Sequence, residues 1–206
     1  MFAPGLLSGR RALITGGGAG LGRAIARRYL QLGARIAICG RRLAVLQETA
    51  AALRAEIPGA DIAVHGCDIR DPAAVEAMLD TVFAEGAPDI LVNNAGGPPP
   101  GDFRDWTRDD WIKAIDANML TAVDLIKGVI DPMIENKFGR IVNITSGSVK
   151  SPIPTLGLSN GARAGLTGFV GGLARQVARH NVTINGLLPG PFDTESIAAN
   201  IKFLAN

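Results

Sequence analysis

A three-layer α/β/α fold on a doubly wound parallel sheet is predicted by three features of this 206-residue chain. Runs of β-branched and aliphatic residues alternate with helical stretches from end to end, so the crossovers must cover both faces of the sheet. A glycine-rich turn joins the first run to the first helix. Aromatics supply only 5% of residues against 47% apolar overall, with 26 glycines, so the core is packed from Val, Ile, Leu and Ala around tight turns. The length suits one domain, 1–206.

The first strand, Arg11–Thr15, runs into the turn Gly16-Gly17-Gly18-Ala19-Gly20-Leu21-Gly22. Leu21–Leu32 follows as a helix, closed by Gly33 just past its last residue. Arg35–Cys39 is the second strand and Leu43–Ile57 the second helix, stopped by Pro58-Gly59. A third strand, Asp61–Cys67, leads to a helix over Ala73–Phe83, with Asp71 as N-cap and Pro72 in its first turn. Ile90–Asn93 is the fourth strand, and Gly97-Pro98-Pro99-Pro100-Gly101 beyond it is a stiff loop, either the border of a substrate site or a rigid connector. Thr107–Lys137 reads as one long helix, Arg140–Thr145 as the fifth strand, Ser159–His180 as a helix and Thr183–Leu188 as the sixth strand. Right-handed crossovers then place ligands at the carboxyl ends of the strands.

Several function classes are excluded by composition. A net charge of +2, with Arg10-Arg11, Arg27-Arg28 and Arg41-Arg42 as isolated pairs, argues against nucleic acid as a partner. No apolar run reaches membrane-spanning length, and the first seven residues lack the pattern of a signal peptide. Cys39 and Cys67 each end an apolar run and are expected buried and reduced, in a cytoplasmic protein. His65 and His180 fit no ligand spacing, so no metal is expected.

The glycine turn carries the first chemistry. Gly16, Gly20 and Gly22, with Gly18 between, let the backbone turn sharply and approach a pyrophosphate at the N-terminus of a helix. Three glycines alone are a weak sign; after a strand and before a helix they indicate a Rossmann-like dinucleotide site. NAD-selective sites place a carboxylate about 20 residues beyond, for the ribose 2′-hydroxyl. Here the second strand ends in Ile38-Cys39-Gly40-Arg41-Arg42, with no acid. Guanidinium groups there suit a 2′-phosphate, so NADP(H) is the expected cofactor. Arg41 is its main contact, and Arg42 either supports it or caps the following helix.

From Gly9 to Thr194 the motifs fall in one order: the glycine turn, Cys67-Asp68-Ile69, Asn93-Asn94-Ala95-Gly96, Asn118, Ile141-Val142-Asn143-Ile144-Thr145-Ser146, and Pro189-Gly190 with Thr194. In that order they resemble the short-chain dehydrogenase/reductase family. The resemblance implies that Thr15, Gly16, Gly18, Gly20, Leu21 and Gly22 hold the pyrophosphate side and that Asp68 and Ile69 meet the adenine. It further implies that Asn94, Ala95 and Gly96 pass beside the cofactor, and that Pro189, Gly190 and Thr194 bind the nicotinamide end. Asn118 is implied to hold a water near the active site, and Ser146 to orient the substrate.

Two positions depart from the family pattern of Tyr and Lys. Ser159 stands thirteen residues after Ser146, where the family has the proton-donating Tyr, and Arg163 takes the Lys position. Tyr29, the only tyrosine, lies in the first helix and cannot substitute. An aliphatic hydroxyl is a far weaker acid than a phenol, and Arg cannot relay a proton. Three outcomes stay open. A water fills the phenol volume and is served by Ser159 and Ser146; Lys150 acts as acid, or is simply a solvated loop lysine; or the protein binds NADP(H) with little turnover, as a sensor or partner subunit. The leading expectation is an NADP(H)-dependent oxidoreductase acting on a small-molecule carbonyl or alcohol, similar to a 3-oxoacyl reductase.

Gly161, Gly165, Gly168 and Gly172 form one small-residue face of the Ser159 helix. With the resemblance, this implies a homodimer or homotetramer, the alternative being close packing within one subunit. The chain stops at Asn206, so the family's C-terminal strand and substrate lid are expected to be lacking.

Overall fold

The computed structural model describes residues 2–192. Six parallel strands, β1 (Arg11–Thr15), β2 (Arg35–Gly40), β3 (Ile62–Gly66), β4 (Ile90–Asn93), β5 (Gly139–Ile144) and β6 (Val182–Leu187), lie in the order β3-β2-β1-β4-β5-β6. That is the strand order of the dinucleotide-binding doubly wound sheet. Because the chain winds outward in opposite directions from β1 and β4, their crossovers leave a crevice at the carboxyl rim.

The helices are α1 (Gly20–Gln31), α2 (Leu43–Glu56), α3 (Pro72–Glu85), α4 (Arg108–Ile115), α5 (Thr121–Glu135) and α6 (Gly157–Val177). Alternation along the strands feeds two cores. Ala12 and Ile14 of β1 pack with Ala26, Leu30, Leu46 and Leu53 from α1 and α2. Leu13 points the other way, into Val75, Leu79, Leu125, Val129 and Leu166 from α3, α5 and α6. Full burial of such a Leu is worth about 1.5–3 kcal/mol, which holds the crossover helices on the sheet. Cys39 and Cys67 are both buried free thiols in the second cluster, and burial pushes both pKa values up.

The expected single helix over Thr107–Lys137 is divided. Thr107 starts α4 with a reciprocal capping box to Asp110, and a π-helical turn, Asp116–Leu120, separates α4 from α5. A π turn adds one residue per turn without breaking the rod, so apolar periodicity alone reads straight through it. Elsewhere the helix signals act as expected. Asp71 accepts from the Ala73 and Ala74 N–H groups, and Gly33 sits at φ +90° after α1. No helix among the described residues is long and apolar enough to cross a membrane. The expected lack of a final strand and lid concerns sequence outside the described residues.

Candidate active site

The glycine turn is laced to β4 as well as to β2. The Gly16 N–H donates to the Cys39 carbonyl (2.8 Å), the Asn94 N–H donates to Thr15 Oγ1 (2.8 Å), and Asn94 Nδ2 reaches the Thr15 carbonyl (3.2 Å). Gly16 has φ +62°, and a Cβ there would stand 2.7 Å from the Asn94 side chain. A Cβ on Gly22 would collide with the Gly16 carbonyl oxygen. Gly17, not singled out in the sequence, is also required, since its Cβ would lie 2.5 Å from Ile38. No side chain caps α1 at Ala19 and its first turn, which holds Gly20, Leu21 and Gly22, contains no acid. Those helix N–H groups and their dipole therefore suit a phosphate, and the residues fit a dinucleotide.

The next rim position lies at the ends of β2 and β3. Arg41 and Arg42 are both exposed, and Arg42 takes the N-cap position of α2 without a side-chain cap. The Cys67 N–H donates to the Gly40 carbonyl (3.0 Å), bringing Asp68 beside this strand end. Arg70 forks onto Asp68, Nε to Oδ1 at 2.9 Å and Nη2 to Oδ2 at 2.5 Å. These bonds, with a smaller contribution from Arg41, hold the Asp68 pKa down at about 2. Arg70 was not among the sequence candidates; a guanidinium two residues after Asp68 is the only trace it leaves.

The far end of the crevice collects the remaining candidates. Ser146, two residues beyond β5, accepts from the N–H (3.1 Å) and Oγ (2.9 Å) of the buried Ser148, another residue missed in the sequence. The Pro189 carbonyl accepts from the Gly147 N–H (3.1 Å), which brings Pro189 and Gly190 to the same rim. Thr194 lies outside the described residues. Lys150 is exposed. Asn118, buried within the π-helical turn, has both amide atoms without a hydrogen-bond partner among the described residues. It lines a cavity of about 20 Å³ shared with Thr15, Ile69, Asn94, Ala95 and Arg163. Asn93 also lines it, and its Oδ1 likewise has no partner among the described residues. The space accommodates one water with two or three polar neighbours.

Ser159 and Arg163 are each only 7% exposed. Arg163 Nε donates to Ser159 Oγ (3.1 Å), Nη1 to the Ile144 (2.8 Å) and Thr145 (3.1 Å) carbonyls, and Nη2 to the Ala95 carbonyl (3.3 Å). Of the five guanidinium N–H bonds, one on Nη2 is left for a ligand. Burial lowers the Arg163 pKa, yet a guanidinium remains a cation at neutral pH. No carboxylate forms a salt bridge with it among the described residues. The sequence placed this side chain at the site, but not its role in tying the ends of β4 and β5 together. Because Ser159 Oγ accepts from Nε, the serine's own hydrogen is free to be donated elsewhere.

The glycine face of α6 is divided in use. A Cβ on Gly161 would meet Trp111 at 3.0 Å and one on Gly165 would meet Met119 at 2.9 Å, so same-chain side chains already cover these two. A Cβ on Gly168 or Gly172 would meet nothing within 4 Å among the described residues. Among the described residues no group of His, Cys, Asp or Glu is arranged to hold a metal ion.

Comparison with known proteins covers nearly the whole chain. The family model described as short chain dehydrogenase covers residues 10–203. The uncharacterized oxidoreductase YvrD of Bacillus subtilis is 34% identical over 198 residues, 95% of this chain and 73% of that protein. The 3-oxoacyl-[acyl-carrier-protein] reductase FabG of Salmonella typhimurium is 34% identical over 194 residues, 93% of this chain and 77% of that one. The L-sorbose reductase of Gluconobacter frateurii, solved with NADPH and L-sorbose, superposes with a TM-score of 0.92 at 28% identity, covering 98% of this chain and 77% of that one.

Proposed function

The chain belongs to the short-chain dehydrogenase family and is an oxidoreductase, and from that premise we propose that it reduces a carbonyl to an alcohol with NADPH, in the manner of a 3-oxoacyl reductase. One observation carries the cofactor choice: the acid-free, uncapped start of α1 lies at the same sheet rim as the exposed Arg41 and Arg42, which follow the end of β2, the neighbour of β1. NADPH bound there supplies the hydride. Thr15, Gly16, Gly18, Gly20, Leu21 and Gly22 receive the pyrophosphate, and Arg41, backed by Arg42, takes the 2′-phosphate. Asp68 and Ile69 meet the adenine. Asn94, Ala95 and Gly96 flank the cofactor's middle, and Pro189, Gly190 and Thr194 take the nicotinamide end. Replacing Arg41 with Ala should weaken NADPH binding about tenfold and leave NADH nearly unchanged, because only the former carries the phosphate. Fluorescence titration with both cofactors checks it; equal loss for both would contradict the assignment.

At the reacting end, Ser146 and Ser159 offer hydroxyl hydrogens to the carbonyl oxygen, directly or through a water in the volume a phenol would fill. Arg163 fixes Ser159 through Nε and adds positive charge where the oxygen becomes anionic. Asn118 steadies a water behind it. A second reading has one specific support: Arg163 makes four bonds inside the protein and keeps a single N–H for the nicotinamide ribose. On that reading the chain binds NADPH with little turnover, as a sensor or partner subunit. Tight NADPH binding with no oxidation across aldehydes, ketones and 3-oxoacyl thioesters would select it. We place the protein in the cytoplasm as a homodimer or homotetramer, with uncovered Gly168 and Gly172 beside the exposed Phe169 as the contact.

A further inference from the structure

The geometry points to Arg70 as a positioning residue that orients the Asp68 carboxylate to read the exocyclic amino group of the adenine. The inference rests on the reading that the cofactor's adenosine half lies at the β2 and β3 ends. An ionised carboxylate offers about four acceptor positions. Asp68 Oδ1 accepts two bonds from Arg70, from the backbone N–H (3.1 Å) and from Nε (2.9 Å), and Oδ2 accepts one from Nη2 (2.5 Å). One position remains, on Oδ2. A group that can fill it must donate, and the adenine amino group donates.

The fork has a second consequence. Arg41 acts on the Asp68 charge across the same strand ends. A freely rotating Asp68 is able to pair with Arg41 and so draw it from the 2′-phosphate. Both Asp68 oxygens are held by Arg70 instead, which leaves Arg41 available. Two neighbouring guanidiniums thus serve different parts of one nucleotide, one through a carboxylate and one directly.

A plain surface ion pair would make the same contacts, so the test must read the base rather than stability. NADPH and its hypoxanthine analogue carry the same 2′-phosphate but differ at the base, where an oxygen replaces the amino group. The ratio of their dissociation constants therefore cancels phosphate effects. The wild-type protein should prefer NADPH by about tenfold, as expected for one hydrogen bond to a charged group. In Arg70→Ala the ratio should fall to about threefold or less, and Arg70→Lys should recover part of it. Asp68→Asn is the control. If Asp68→Asn loses the preference while Arg70→Ala keeps it, Arg70 does not position the carboxylate and the inference is overturned. If Asp68→Asn keeps it, or the wild type has none, the adenine contact itself is wrong and the inference falls with it. Loss in both variants supports it.

Discussion

The double variant Ser159→Tyr with Arg163→Lys should raise kcat for carbonyl reduction by about 10²-fold or more, since a well-placed general acid contributes roughly 10²–10⁴-fold. A phenol releases its proton far more readily than a serine hydroxyl and extends further toward the crevice from the same position on α6. The second substitution is needed because Arg163 Nε lies 3.1 Å from Ser159 Oγ and the guanidinium is fixed by the Ile144, Thr145 and Ala95 carbonyls. A phenol introduced alone loses that partner and meets a cation that is already committed elsewhere. A Lys at 163 carries a compact ammonium on a flexible stem and is free to face both the phenol and a ribose. The gain has a cost. Three carbonyls at the ends of β4 and β5 lose their donors, and each buried group left unpaired costs about 1–3 kcal/mol. The double variant should therefore be faster and melt earlier. Steady-state kinetics at saturating NADPH, alongside thermal melting, measure both. An unchanged kcat in a folded variant would mean that the proton donor is not what limits this site.

Gly22→Ala should weaken NADPH binding by about 10²-fold or abolish it. Gly22 is a helical residue, so the substitution carries no penalty in local backbone preference; alanine is in fact the better helix former. The effect comes from space. The new methyl collides with the Gly16 carbonyl and stands 2.8 Å from Asn94 Nδ2. Neither can retreat cheaply, because Gly16 is bonded to Cys39 and Asn94 is bonded to Thr15. The turn must open, and the N–H groups aimed at the pyrophosphate move with it. Overpacking of this kind typically costs about 1–3 kcal/mol of stability, so the variant should still fold. Calorimetric titration with NADPH reads the binding loss; wild-type affinity in this variant would place the pyrophosphate elsewhere.

The strands were legible because β-branched runs and the turn residues that bound them are local signals, and their observed ends differ from expectation by one residue or so. The glycine turn was legible because its backbone geometry and close contacts exclude side chains. The π-helical turn around Asn118 was not. One extra residue in a turn rotates the following face without erasing it, and α4 and α5 remain amphipathic on either side of the join. Ser159 and Arg163 could be located by spacing alone, whereas the partners of Arg163 could not be foreseen. Three of them are backbone carbonyls, which any residue supplies and which leave no mark in a sequence. Arg70 and Asp68 stand only two residues apart in the sequence, yet surface ion pairs are so common that the pattern carried little weight before its geometry was seen. On α6, glycine spacing revealed a smooth face but not its occupant, and Trp111 and Met119 fill half of it from within the chain.

The central claim, that a phosphorylated nicotinamide dinucleotide lies along the carboxyl rim despite the altered Ser159 and Arg163 pair, is tested most directly by calorimetry of the unmodified protein with NADPH and with NADH. The expected result is saturable binding of both, with NADPH favoured by about tenfold through the 2′-phosphate. Absence of heat with either nucleotide, or a preference for NADH, would contradict it.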